Sequence, residues 1–288
     1  MRRLPAPLEF LLWSGLVVGL SAALTPTVHE TLVGLGWLSD EPEAQLGGFL
    51  RVLRRLLVLF GLTILFWRLR PWRETTLVGL GLRGENAKQA PVWRAALITV
   101  LATLVILAIH AVSGWLEFED PLRWEKITRR CFTWAGRALL LALIEEWFFR
   151  GWLFRRWTRS FGAVRAALLS SAIFGVIHAF RPSNFKGEVP LTSGGALEAL
   201  QEWALLALDP TRFLPAAFGL FLFGLVLCAA MHRTRSLWTP IAIHAAGVWV
   251  VTLHPSITNR WPKESWAGSG QLLDGPPGWA LLLAGLYL

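Results

Sequence analysis

The stretch LALIEEWFFRGWLF, residues 141–154, places two adjacent glutamates and an arginine inside a run that is otherwise apolar enough to lie in a membrane. Each such charge costs several kcal/mol if left unpaired in hydrocarbon, so Glu145, Glu146 and Arg150 need a reason to be there. On a helix, Glu146 and Arg150 are four residues apart and share a face, in the favourable acid-before-base order. Glu145 points about 100° away from them. The spacing therefore predicts one carboxylate stapled to a cation and a second without that partner. In a low-dielectric site an unpaired carboxylate is the more basic of the two, which suits a general base.

The rest of the chain supports a membrane setting. Of its 288 residues 54% are hydrophobic, and mean hydropathy is +0.49, leaving too few charges to cover a water-soluble globule. Apolar runs predict spans near 9–28, 49–67, 95–116, 133–154, 162–181, 212–231 and 236–254, with a short last one near 277–288. The fold expected is an all-α integral membrane protein, a polytopic bundle of about seven to eight transmembrane helices. No repeat, low-complexity tract or long linker interrupts it, so residues 1–288 are expected to form a single integral-membrane domain. Segment 191–210 differs: Leu197, Leu200, Ala204 and Leu208 recur at helical spacing and Glu198 and Glu202 share another face, predicting an amphipathic helix at the interface.

The basic start MRRLPAP and the apolar run after it have the form of a signal peptide, but with further spans following they are read as an uncleaved first helix. The net charge of +9 comes from basic residues in short connections, which fit anionic lipid headgroups and argue against nucleic acid as a partner. Arg2 and Arg3, then Arg68, Arg70, Arg73, Arg83, Lys88 and Arg94, then Arg155, Arg156, Arg159 and Arg165, then Arg233 and Arg235 fall on one side if the spans alternate. Acidic Asp40, Glu41, Glu43, Glu117, Glu119 and Asp120 fall on the other. The positive-inside rule then puts the N-terminus in the cytoplasm, in the inner membrane of the cell. Cys131 and Cys228 have no metal-type spacing and read as packing residues. Tryptophans such as Trp115, Trp134, Trp157 and Trp238 read as interfacial anchors, and His110 and His254 as packing or interface residues.

Two histidines have more informative contexts. His178 lies in SAIFGVIHAF and His244 in SLWTPIAIHAAGVW, each on its own predicted helix. A glutamate and two imidazoles converging from three helices would suit hydrolysis of an amide within a membrane. They would also make a His₂Glu set, Glu145, His178 and His244, with a fourth position open to water on zinc. The chain lacks the H-E-x-x-H helix that marks many such sites.

Taken in order, Glu145-Glu146-x-x-x-Arg150, Phe174-x-x-x-His178, and His244 preceded by Leu237-Trp238-x-Pro240-Ile241 resemble the motifs of the CAAX prenyl protease and bacteriocin-processing (CPBP, or Abi) family of intramembrane proteases. The resemblance covers residues 130–255. It implies that Glu145 and His178 activate the attacking water, that Glu146 and Arg150 hold the glutamate helix in register, and that His244 stabilises the oxyanion or completes a metal site. The implied substrate is a membrane-associated protein or peptide, cleaved in contact with the lipid bilayer. One position departs from the pattern: the family places Asn or Asp four residues after the last histidine, where this chain has Val248. Loss of an oxyanion donor costs roughly 3 to 4 kcal/mol of transition-state stabilisation in other hydrolases. Another donor, such as Thr252 a turn further on or a backbone N–H, would then have to serve the oxyanion. Two rival readings follow from the same residues: a non-catalytic protein on this scaffold, conferring immunity to a peptide toxin or binding a partner helix, and a transporter with Glu145 as its proton site. No inverted repeat supports the transporter.

Overall fold

The computed structural model describes residues 6–69, 75–83, 85, 90–114, 116–119, 121–179, 188–207, 209–260 and 275–286. They are overwhelmingly helical: α1 (Ala6–Gly34), α2 (Pro42–Leu69), α3 (Val92–Val112), α4 (Trp124–Glu146), α5 (Arg155–Phe161), α6 (Ala163–Ala179), α7 (Ser193–Ala207), α8 (Pro210–Thr234), α9 (Trp238–Leu253) and α10 (Pro276–Gly285). A π-helical stretch, Trp147–Phe154, joins α4 to α5 without a break, and a single 3₁₀ turn, His254–Ser256, follows α9. The one sheet among the described residues is a short antiparallel pair, β1 (Glu117–Phe118) with β2 (Thr258–Arg260).

Every apolar run read from the sequence coincides with a helix. By length and composition, however, three helical stretches qualify as membrane spans among the described residues: Leu12–Gly34, Val92–Val112 and Phe213–Thr234. That is fewer than the seven to eight expected. The physical reason differs from helix to helix. Helix α2 carries Arg51, Arg54 and Arg55, α4 carries the ionisable motif, and α6 and α9, at 17 and 16 residues, are short.

The contacts gather into two compact units, residues 1–70 with 181–209, and residues 71–180 with 210–288. The first unit packs α1, α2 and α7 around Ala22, Phe49, Leu53, Ala196, Ala199 and Trp203. Its buried hydroxyls answer to their own helix: Ser21 donates to the Val17 carbonyl at 2.7 Å and Thr25 to that of Ser21 at 2.6 Å. The amphipathic helix forms as expected, but its buried face is Ala196, Ala199 and Trp203, while Leu197 and Leu205 are exposed. The leucine face read from the sequence is therefore offset; Leu208 lies outside the described residues. Small alanines let backbones approach closely.

In the second unit α6 packs along α8, and α9 lies against both α3 and α4. The approach of α6 to α8 is set by glycine. A Cβ on Gly175 would fall 2.6 Å from the Ala217 carbonyl oxygen, and one on Gly224 would fall 2.9 Å from the Ser171 Cβ. A core of Leu80, Ala142, Phe154, Ala166, Cys228, Met231, Leu237 and Ile241 ties α4, α6, α8 and α9 together. Leu80 belongs to the connection before α3, a stretch the sequence presented as an ordinary loop. It is in fact fastened to the start of α9: the Leu237 N–H donates to the Leu80 carbonyl at 3.0 Å, Ser236 Oγ to that of Gly81 at 2.8 Å, and Trp238 Nε1 to that of Leu82 at 3.2 Å. Gly81 has φ +66° and its Cα faces the Arg235 carbonyl, so no side chain fits there.

Candidate active site

The five residues singled out in the sequence meet within the second unit. Glu146 and Arg150, a turn apart, are buried at 0% and 1% exposure. Arg150 Nη1 donates to Glu146 Oε1 at 2.9 Å, and Nη2 reaches the Gly224 carbonyl on α8 at 3.3 Å. The guanidinium also lies over the Phe174 ring, 4.5 Å from its centroid. The π-helical stretch contributes here: Phe148 to Phe154 are all buried, whereas one stripe of a regular helix on a bundle surface would face inward.

Glu146 does more than hold Arg150. The same Oε1 lies 2.7 Å from His244 Nδ1. An ionised carboxylate only accepts, so Nδ1 carries the hydrogen and the ring presents Nε2 to the other side, 3.7 Å from Glu145 Oε2. His178 is oriented by the same logic. Its Nδ1 lies 2.9 Å from the Phe174 carbonyl, which can only accept, and its Nε2 lies 3.0 Å from Glu145 Oε2. With Nδ1 committed as a donor, this contact needs a second proton, carried by the imidazole or by the carboxyl. Glu145 and His178 thus share a proton that neutral imidazole and free carboxylate would lack. Glu145 is not the unpartnered group expected; it faces the Nε2 atoms of both histidines.

Phe174 organises the aromatic wall. Its ring lies 4.1 Å from that of His178, 5.9 Å from that of His244 and 5.2 Å from that of Phe149, centroid to centroid. Phe223 on α8 meets His244 edge to face at 5.7 Å. Sequence reasoning missed Phe223 and the Gly224 carbonyl, because α8 carries no ionisable residue at this level to draw attention to it.

Val248 and Thr252 follow His244 along α9. Thr252 Oγ1 donates back to its own helix, 2.7 Å from the Val248 carbonyl and 3.0 Å from that of Trp249. Its proton is committed, so Thr252 does not replace the missing donor in this rotamer. His110 and His254 each turn Nδ1 to a carbonyl of their own chain segment, Ile106 and Val251, both at 2.7 Å. The site does not include them.

The donor atoms a His₂Glu zinc set would use are those that converge, Glu145 Oε2 and the two Nε2 atoms. As placed they do not fit an ion. Glu145 Oε2 is within direct hydrogen-bonding distance of His178, and among the described residues no group of three or more His, Cys, Asp or Glu has the spacing to hold a metal.

Compared with known proteins, residues 127–250 match the family model described as type II CAAX prenyl endopeptidase Rce1-like. This is the CPBP grouping that the three motifs resemble, and the matched stretch carries all of Glu145, Glu146, Arg150, His178 and His244. No curated protein and no solved structure matches the chain.

Proposed function

We propose that the protein is an intramembrane endopeptidase that hydrolyses a peptide bond in a membrane-associated protein or peptide by means of a glutamate- and histidine-activated water. The observation that carries this reading is the pointing of two imidazole Nε2 atoms, from α6 and α9, at one carboxylate oxygen on α4. In the imidazolium–carboxylate form of the His178–Glu145 pair, Glu145 takes the proton of the attacking water and His178 Nε2–H protonates the leaving amine. A carboxylic acid and an amine result, with no net change in protonation. His244, held from behind by Glu146, is turned to meet the oxyanion once Nε2 is protonated. Glu146 and Arg150 position rather than react. The match to CAAX prenyl endopeptidases makes a prenylated C-terminal peptide the first substrate to test.

The test is cleavage of a prenylated peptide and its unprenylated twin by the purified chain in lipid nanodiscs, read by mass spectrometry. Cleavage that disappears in Glu145→Gln is expected. No cleavage of either peptide, or cleavage indifferent to Glu145→Gln, would remove the proposal. Zinc is tested in the same assay: 1,10-phenanthroline is expected to leave the rate unchanged. Inhibition reversed by added zinc would instead make Glu145, His178 and His244 ligands. A second reading, a non-catalytic protein on the same scaffold, draws on Val248 and on the committed hydroxyl of Thr252. An inactive wild type that gains activity as Val248→Asn would favour it. In either case we read α2, α4 with the π-helical stretch, α6, α9 and the short α10 as crossing the inner membrane with α1, α3 and α8, giving seven to eight spans and a cytoplasmic N-terminus.

A further inference from the structure

Helix α2 carries a feature that the catalytic reading does not use. Phe49, Val52 and Leu53 are buried in the core of the first unit, whereas Arg51, Arg54 and Arg55 are exposed. At 100° per residue the three arginines occupy one outward face, and Val58 and Leu62 continue the same face one and two turns on, with Leu59 at its margin. All three of these apolar residues are exposed. No ion pair ties Arg51, Arg54 or Arg55 among the described residues. Arg51 leans toward the start of the helix, its Nη1 3.5 Å from where a Gly47 Cβ would stand, so the guanidinium moves away from the apolar surface and the glycine leaves it room.

A cluster of guanidinium groups without an ion-pair partner among the described residues, standing directly above an exposed apolar strip, matches a molecule with an anionic head and a hydrocarbon tail. We propose that this face of α2 binds an anionic phospholipid, Arg51, Arg54 and Arg55 taking the phosphate-bearing headgroup and Val58, Leu59 and Leu62 lying along an acyl chain. Both halves of the surface are needed. A free phosphate would use only the arginines, and an acidic protein segment would have no use for the exposed leucines. The apolar run between Arg55 and Arg68 has 12 residues, 56–67, or about 18 Å of helix. The hydrocarbon core is about 30 Å thick, so a headgroup held at Arg55 is drawn inward relative to the surrounding lipid. The proposal stands whether or not the peptidase reading does.

The test uses the full chain in non-ionic detergent, titrated with dioleoyl phosphatidylglycerol or dioleoyl phosphatidylcholine and followed by native mass spectrometry. Wild type is expected to bind the anionic lipid at least about tenfold more tightly than the zwitterionic one, and Arg51→Gln/Arg54→Gln/Arg55→Gln to lose that preference. The triple Lys variant should keep much of it, since the charge remains. Should the Gln variant fail to fold, salt decides: raising NaCl from about 0.1 to 1 M, which shortens the Debye length from about 10 to 3 Å, should weaken phosphatidylglycerol binding selectively. An unchanged preference in the Gln variant or at high salt overturns the proposal. So does full competition by inorganic phosphate or by a glutamate-rich peptide, which would mark a site for anions without a lipid tail.

Discussion

Glu146 accepts from two sides with one oxygen, and this decides how its loss should differ from that of its neighbour. On the proposed mechanism Glu145→Gln keeps the shape and removes the base, so the folded protein should remain while the rate falls by about 10² to 10⁴-fold, the range for general acid–base catalysis. A cleavage assay paired with a thermal melt checks both parts. Glu146→Gln leaves Arg150 buried without its counter-charge, a change that typically costs about 3 to 5 kcal/mol, and it also loosens His244. Melting temperature and activity should fall together, and an unchanged melt would show that the pair carries no structural burden. Val248→Asn is expected to raise the rate of a working enzyme by adding a donor one turn from His244. If the rate falls instead, the valine belongs to a differently built site and the oxyanion role of His244 has to be given up.

Among the elements, the α4–π–α5 stretch and α6 form a hairpin about Gly162, whose φ is +81°. Glu145 lies 17 residues before that turn and His178 lies 16 after it, so the two reach the same level. Counting from the ends of the apolar runs instead puts Glu145 near mid-membrane and His178 near one end, since those ends are blurred by interfacial residues while the turn is a fixed point. The π-helical geometry was not legible, because no residue in WFFRGWLF forbids an ordinary α-helix. Nor was the part played by α8: a glycine that matters for its carbonyl and its missing Cβ looks like any other small residue. Gly224→Ala should force α8 and α6 apart, since the added methyl meets Ser171, and so withdraw the carbonyl that accepts from Arg150. Overpacking of this kind costs about 1 to 3 kcal/mol. A lower melting temperature with a reduced rate is expected, whereas a neutral outcome in both would mean that the helix pair yields without disturbing the arginine.

For the whole molecule, the residues that converge in the candidate site and the helices that carry them could be read from the sequence, because charge in an apolar run is rare and periodicity is strong. The number of membrane crossings could not, since charges that exclude a helix on composition can be neutralised within the fold. The segment Ala138–Phe154 contains Glu145, Glu146 and Arg150 as its only formal charges, and all three have partners inside the protein. Arg129, Arg130 and Arg137 lie before it and Arg155, Arg156 and Arg159 after it, the arrangement expected of a helix that crosses. Three exposed positions separate the alternatives: Trp37 after α1, Phe118 in β1 after α3, and Phe161 at the end of α5. With a cytoplasmic N-terminus and α1, α2, α3 and the continuous α4–π–α5 stretch crossing in turn, single cysteines replacing Trp37 and Phe118 should react with an impermeant maleimide in intact cells, and one replacing Phe161 only after permeabilisation. The background is Cys131→Ser with Cys228, which is buried, retained. If α1 and α3 cross but α2 and α4 do not, Trp37 stays outside and Phe161 inside, but Phe118 moves inside. Position 118 therefore distinguishes the larger count of spans from the smaller one, and inversion of all three labels would reverse the orientation itself.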